Sequence, residues 1–178
     1  MPDDTERLLE AVSFAARAHR YQFRKDRETP YAAHVFRVAL VVRHVFGIDD
    51  PRVLSAAVLH DTIEDTTTDY DDLAERFGDE VATWAAALTK DMRMPEPERE
   101  VAYREHLAAA PWQVAACKLA DIYDNLTDSA NLTPAGRAKQ VARSREYLDA
   151  VRGKVPPEVA AAFALTEAKV AEVAAKVG

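Results

Sequence analysis

Histidines and carboxylates recur along this chain at spacings that can hold a metal ion and move protons. Two imidazoles with several carboxylates suit an intermediate divalent cation such as manganese or iron, and zinc fits less well because no thiolates accompany them. A divalent ion with open coordination positions can activate water and neutralise phosphate oxygens. The residues therefore predict hydrolysis of a phosphate ester or anhydride. In chain order they are His34, His60, Asp61, Glu64, Asp65, Asp121 and Asn125.

The densest of these groups lies in the stretch LHDTIED. On a helix, His60 stacks on Glu64 and Asp61 stacks on Asp65, because residues four apart are neighbours on the helix surface. We therefore expect one continuous helix over 51–65, from which four side chains face one wall of a cavity.

Apolar surroundings distinguish these groups from ordinary surface charges. A His-Asp pair, or two acids at a helix end, is common on surfaces and means little alone. Here His60 follows the apolar run LSAAVL, Asp121 follows VAACKLA, and His34 opens the apolar segment VFRVAL. Ionisable groups in such positions are costly unless they are paired or bound to a metal. A shared metal is therefore favoured over three separately satisfied core groups.

The elements that must position these residues are predicted to be helices. Prolines stand where helices should begin and glycines where they should end, and the apolar residues between them follow helical spacing. Since no run alternates at period two, we expect an all-α fold, a compact multi-helix bundle without a sheet, in one domain over 1–178. The predicted helices lie near 3–20, 31–46, 51–65, 70–77, 79–90, 97–109, 111–129, 134–152 and 156–176.

Composition narrows the classes of function. With 48% hydrophobic residues among 178, the chain can bury a sizeable core. Its net charge of −7 argues against a nucleic-acid-binding surface. Cys117 is the only cysteine, which excludes an intramolecular disulfide and is typical of a reducing cytosol. Because no signal-peptide pattern follows Met1 and no uncharged stretch approaches the ~20 residues of a membrane span, a cytoplasmic protein without a membrane partner is expected.

Several motifs in this order resemble the HD superfamily, in particular the hydrolase domain of RelA/SpoT-type enzymes and the stand-alone small alarmone hydrolases. The resemblance runs from about residue 8 to 150. The His-Asp pair alone is not specific, but the Arg-Lys, Pro-Tyr and Glu-Asp additions are specific for this branch. The motifs are Gln22-x-Arg24-Lys25, Pro30-Tyr31-x-x-His34, His60-Asp61-x-x-Glu64-Asp65, and Ala120-Asp121 with Asn125.

The resemblance implies a role for each candidate residue. A single manganese ion would be held by His34, His60, Asp61 and Asp121. Glu64 and Asp65 would orient and deprotonate the attacking water. The nucleotide would be gripped by Arg24, Lys25 and Asn125, and the pocket would also be faced by Arg143 and Tyr147. Independently of the resemblance, a guanidinium next to an ammonium suits a substrate with several phosphates.

The chain departs from the family pattern at three places. Val35 follows the metal histidine where the family commonly has proline, and Ile122 follows Asp121 where a basic residue is usual. In the loop 91–99, where relatives offer lysines to phosphate, only Arg93 and Arg99 are basic.

Three functions stay open at this point. The leading expectation is a pyrophosphohydrolase that removes the 3′-pyrophosphate of (p)ppGpp and gives GDP or GTP. The second is a phosphatase that acts on another nucleotide, such as the 2′-phosphate of NADPH or a nucleoside monophosphate. The third is a catalytically idle module that only binds a nucleotide. Retention of Glu64 and Asp65 weighs against the third, because binding alone does not need a water-activating pair.

Overall fold

Helices make up the fold of this protein, as a computed structural model that describes residues 3–153 and 155–177 shows. The predicted all-α class is confirmed. No strand occurs within those two ranges, where a single isolated bridge pairs Phe23 with Pro30. Residues 1 and 2 lie outside the described residues. They begin the segment whose pattern gave the expectation of no signal peptide. Among the described helices, none has the length and apolar character needed to cross a membrane.

The helices follow one another with short connections. In chain order they are α1 (Asp4–Ala18), α2 (Ala32–Leu40) with a π-helical continuation (Val41–Val45), α3 (Pro51–Leu59), α4 (Thr62–Asp65), α5 (Tyr70–Phe77), α6 (Asp79–Ala87), α7 (Glu96–Ala109), α8 (Trp112–Thr127) with a 3₁₀ turn (Ser129–Asn131), α9 (Pro134–Arg152) and α10 (Pro157–Ala174).

Local sequence signals explain where several of these helices begin and end. The side chains of Asp3 and Asp69 accept hydrogen bonds from the backbone N–H groups three residues later. The side chains of Glu6 and Asp72 accept in return from the N–H groups of Asp3 and Asp69, which completes a capping box at the start of α1 and of α5. Asp50 caps α3, whose first residue is proline. Gly78 separates α5 from α6 with a φ of 89°, a conformation that glycine adopts without strain.

The predicted continuous helix over 51–65 is wrong at its most functional point. The chain leaves the helix at His60 and Asp61, between α3 and α4. Two carbonyls near the end of α3 accept hydrogen bonds from side chains: the ring of His60 bonds to Ala57 O at 2.8 Å, and the hydroxyl of Thr62 bonds to Leu59 O at 2.7 Å. Side chains thus take acceptors that a continuing helix would use for its own N–H groups.

The core lies along α3 and α8, which carry most of the candidate site. Every residue from Val53 to Leu59 is buried, and α3 packs against α1, α2 and α6. Helix α8 packs against α2 and α10, and Leu119 on it is fully buried. Because His60 and Asp121 directly extend these buried segments, close packing restricts where their side chains can move.

Candidate active site

Three helices bring two imidazoles and a carboxylate to one buried point. His34 comes from α2, His60 from the end of α3, and Asp121 from α8. The Nε2 atom of His34 lies 3.3 Å from Asp121 Oδ1, and Nε2 of His60 lies 3.7 Å from the same oxygen. One ligand atom of each of the three residues lies within 4.8 Å of the others, a grouping that can hold a metal ion.

Asp61 joins this group through the break in the helix. Its Oδ2 lies 3.0 Å from His60 Nε2 and 3.5 Å from His34 Nε2. Adjacent residues on a regular helix do not face each other, so the turn at positions 60 and 61 allows both side chains to reach one point. The hydroxyl of Tyr31 donates to the same Asp61 oxygen at 2.6 Å. The structure therefore brings together all four residues expected as metal ligands.

A buried carboxylate fixes the orientation of His34. Its Nδ1 lies 2.7 Å from Asp124 Oδ2, and Arg37 donates two further hydrogen bonds to Asp124. Since the carboxylate accepts the Nδ1 proton, Nε2 of the neutral imidazole is left with a lone pair that faces the other ligands. Such carboxylate–histidine pairs set ring orientation and increase basicity at metal centres.

His60 gives the test of whether these residues fit a cation. Its Nδ1 must donate to Ala57 O, because a carbonyl can only accept. Within the part of the chain that the structure describes, Nε2 of His60 is buried without a hydrogen-bond partner. Burial alone would lower the pKa of His60, but the carboxylates around it raise this pKa well above its usual value, so a positive charge is favoured at this point. A cation bound to the neutral ring would supply that charge in place of the proton. Two such imidazoles and two carboxylates fit an intermediate divalent ion.

Lys118 shapes the charge of the centre from the other side. Its ammonium lies 2.8 Å from Asp121 Oδ2, so Oδ1 of the same carboxylate remains directed to the imidazoles. Burial alone would raise the pKa of Asp121, but the Lys118 ammonium, together with the histidine rings while they are protonated, outweighs it and holds this pKa well below its usual range. Asp121 therefore stays ionised at neutral pH.

Glu64 and Asp65 line the cavity beside this cluster. The Glu64 carboxylate accepts a hydrogen bond from the backbone N–H of Lys90 at 2.8 Å, which fixes its position. Burial raises the pKa of Glu64, and burial together with the neighbouring Asp61 raises the pKa of Asp65. Carboxylates with raised pKa values are better proton acceptors near neutral pH than ordinary ones.

The cavity beside these residues has a volume of about 390 Å³, within the usual range for small-ligand sites. Four of the five residues expected to bind substrate line it: Lys25, Asn125, Arg143 and Tyr147.

The structure places the fifth, Arg24, behind the cavity wall. Its guanidinium donates to Asn125 Oδ1 at 2.9 Å and to Asp128 Oδ2 at 3.1 Å. The amide of Asn125 in turn donates to Asp121 Oδ1. The two residues stand at the start of a turn that Arg27 N closes by donating to Arg24 O, and Lys25 lines the cavity whereas Arg24 does not. Arg24 supports Asn125 and, through it, Asp121.

Sequence reasoning missed three cations of the cavity. Lys90, Lys118 and Lys139 all line it, whereas Arg93 of the loop 91–99 is exposed and pairs with Asp91. The signal for Lys118 was present: it is the single charge in the apolar run before Asp121, and such a charge is seldom fully buried without a partner. The role of Asp124 had no comparable signal, because its contact with His34 spans 90 positions.

Known proteins resemble this chain along most of its length. A family model described as HD domain matches residues 11–149. A Xenopus tropicalis protein named guanosine-3′,5′-bis(diphosphate) 3′-pyrophosphohydrolase MESH1 is 40% identical over 148 residues, 83% of this chain and 82% of that protein. The human protein of the same name is 41% identical over 150 residues, covering 84% and 83%.

The fold of this chain is also similar to that of a solved structure. It is described as a metazoan ortholog of SpoT that hydrolyses ppGpp and plays a role in starvation responses. The TM-score is 0.83 with 29% sequence identity, over 100% of this chain and 98% of that one. The match therefore includes the helices that carry His34, His60 and Asp121 and those that line the cavity.

Proposed function

The chain belongs to the HD-domain family, and from that membership we propose that it is a manganese-dependent hydrolase that removes the 3′-pyrophosphate of guanosine alarmones. The observation that carries the proposal is the meeting of two imidazoles with the carboxylates of Asp61 and Asp121, beside a cavity lined by cations. The names of the vertebrate relatives support guanosine bis(diphosphate) as the substrate. The proposed enzyme is a single domain over 1–178.

The proposed metal ligands are His34, His60, Asp61 and Asp121. A divalent ion there would supply Lewis acidity toward water and phosphate oxygens. The chain's own contribution is to hold the ligands in place: Asp124 orients His34, the Ala57 carbonyl orients His60, and Tyr31 donates to Asp61. Manganese is the proposed ion because nitrogen and oxygen donors without thiolates suit it better than zinc.

Glu64 and Asp65 are the proposed proton acceptors. Water attacks the phosphorus attached to the ribose 3′ oxygen, and Glu64 takes the proton that this water loses. The bond from phosphorus to the 3′ oxygen breaks, that oxygen takes up a proton, and pyrophosphate leaves with GDP or GTP as the second product. Asp65, on the same short helix, orients the water and shares the proton.

Substrate binding is proposed for Lys25, Asn125, Arg143 and Tyr147, with Lys90 and Lys118 as additional cations. Each of them lines the cavity beside the metal cluster. Arg24 is proposed to act through Asn125 rather than on the substrate, since its guanidinium already contacts Asn125 and Asp128.

We expect Lys25→Ala to raise KM about tenfold while kcat changes less than about twofold. Lys25 is exposed on its loop and offers an ammonium to a phosphate, and a hydrogen bond to a charged group contributes about 1.5 kcal/mol or more. Loss of binding that is equal in ground and transition states raises KM alone. Steady-state kinetics would measure the effect, and Arg145→Ala, an exposed cation on α9, is the matched control. A fall in kcat with unchanged KM would contradict this role.

A nucleotide panel tests the proposed function directly. Purified protein with Mn²⁺ is incubated with ppGpp, NADPH and nucleoside monophosphates, and pyrophosphate and orthophosphate are scored separately. Pyrophosphate from ppGpp supports the proposal. Orthophosphate from NADPH or a monophosphate, without pyrophosphate from ppGpp, would move the function to the rival phosphatase. Binding of ppGpp without release of either product would indicate an idle nucleotide-binding module.

A further inference from the structure

Most of the cations that line the cavity already have carboxylate partners. The ammonium of Lys118 pairs with Asp121 at 2.8 Å, and two carboxylates of α7 pair with three of the others. Among the residues described, Lys25 alone of the five has no ion pair. The five cations are Lys25, Lys90, Lys118, Lys139 and Arg143.

The two carboxylates of α7 are Glu96 and Glu100, and Glu100 is the buried one. Only 7% of it is exposed, and it accepts a hydrogen bond from the hydroxyl of Tyr147. Its Oε1 lies 3.5 Å from Lys90 Nζ and 3.7 Å from Arg143 Nη1. Burial alone would raise the pKa of Glu100, but the Tyr147 hydrogen bond and the two cations outweigh it and lower the pKa. Glu100 is therefore a fixed negative charge behind the cavity wall.

Glu96 is the outer member of the pair. Its Oε1 accepts hydrogen bonds from Arg143 and, at 3.1 Å, from Lys139. The side chains of Lys139 and Arg143 are 66% and 32% exposed, compared with 10% for Lys118. These two cations therefore lie at the solvent side of the cavity, farther out than the metal cluster, where the non-reacting end of a bound substrate would be placed.

We propose that Glu96 and Glu100 are specificity-determining residues that limit the number of phosphates accepted at the non-reacting end of the substrate. Because these two carboxylates already offset part of the charge of Lys90, Lys139 and Arg143, an additional phosphate must compete with them. The enzyme therefore prefers ppGpp, with two phosphates on the 5′ side, over pppGpp, with three. This inference rests on the proposed function and defines its substrate more narrowly.

The physical argument is competition between anions for the same donors. A phosphate that binds Arg143 shares its guanidinium charge with Glu96, whose carboxylate already holds one of the five N–H donors, and it lies near the fixed charge of Glu100. Like charges disfavour each other, and the effect is weakened but not removed by solvent at a partly exposed site. Removal of the negative charge at position 96 should therefore favour the more highly charged substrate.

The test compares kcat and KM for ppGpp and pppGpp in the wild type, Glu96→Gln, Glu100→Gln and Glu98→Gln. Glu98 is exposed on the same turn of α7 and is the matched control. Glu96→Gln should lower KM for pppGpp by about two- to fivefold, the range expected for a partly exposed ion pair, with a smaller change for ppGpp and little change in kcat. Glu100→Gln should shift the same ratio, and Glu98→Gln should match the wild type.

A wild-type preference for pppGpp, or equal KM ratios in the wild type and Glu96→Gln, would overturn the proposal. So would a higher KM in Glu96→Gln, because Glu96 would then hold the cations in place rather than compete for them.

Calorimetric titration with inorganic tripolyphosphate and with orthophosphate separates this inference from the proposed function. If no variant hydrolyses ppGpp, the alarmone assignment fails. The preference for ppGpp then fails with it, and what remains to be tested is the competition between Glu96 and phosphate groups for the cavity cations. This competition is supported if Glu96→Gln binds tripolyphosphate more tightly than the wild type and Glu98→Gln, with a smaller change for orthophosphate. It fails if the three affinities are equal.

Discussion

Replacement of His60 by alanine is expected to abolish stable metal binding and, with it, hydrolysis. The Nε2 atom of His60 is buried and lies within 3.7 Å of the carboxylates of Asp61 and Asp121. Loss of a residue that merely supports a ligand already costs 10–100-fold in metal affinity, so removal of a ligand should cost more than about 100-fold. Metal content after dialysis and calorimetric titration with Mn²⁺ measure the loss.

His44→Ala is the matched control for this change, since His44 is exposed in the π-helical turn. Mn²⁺ should raise the thermal midpoint of the wild type and of His44→Ala, because a ligand that binds only the folded state stabilises it. His60→Ala should lack this increase. If it retains wild-type affinity for Mn²⁺, the assignment of His60 as a ligand is wrong.

Glu64→Gln is expected to reduce kcat by a factor on the order of 10² or more, the usual effect of a positioned general base, while metal affinity changes little. Glutamine keeps an oxygen that can accept the Lys90 N–H but cannot take a proton from water. Asp65→Asn should behave in the same direction. The measurement is kcat at saturating substrate and metal, alongside the metal content of each variant.

The control for Glu64→Gln is Glu75→Gln, an exposed glutamate on α5. It should leave both kcat and metal content unchanged. If Glu64→Gln or Asp65→Asn loses metal together with activity, these residues are ligands or structural supports, and their role as proton acceptors is wrong.

Periodicity and end signals predicted the helical fold well because both are local. Apolar residues at helical spacing describe α2, and proline at the first position marks the start of α3 and of α9, without knowledge of the rest of the chain. The same spacing failed at His60 and Asp61, where side chains take the backbone acceptors that a helix needs. Hydrophobic periodicity does not record that competition.

Residue type and apolar context predicted the residues of the candidate site. They did not predict the residues that hold these side chains in position. Ionisable residues after buried runs identified His60 and Asp121, which the structure brings together. Arg24 was expected to bind the nucleotide, but its side chain points to Asn125 and Asp128. That direction depends on the conformation of its loop and on a contact with a residue distant in the sequence. Lys118 was overlooked because its partner becomes evident only when α8 is folded.

The candidate metal ligands come from three separate helices, and this has a consequence for the stability of the protein. A cation bound by His34, His60 and Asp121 would act as a reversible crosslink between α2, α3 and α8. Because such an ion binds only the packed arrangement, it would stabilise the folded state by mass action and would not constrain the unfolded ensemble. Because the ligands do not meet before the helices pack, occupancy of the centre would report tertiary assembly as well as readiness for catalysis.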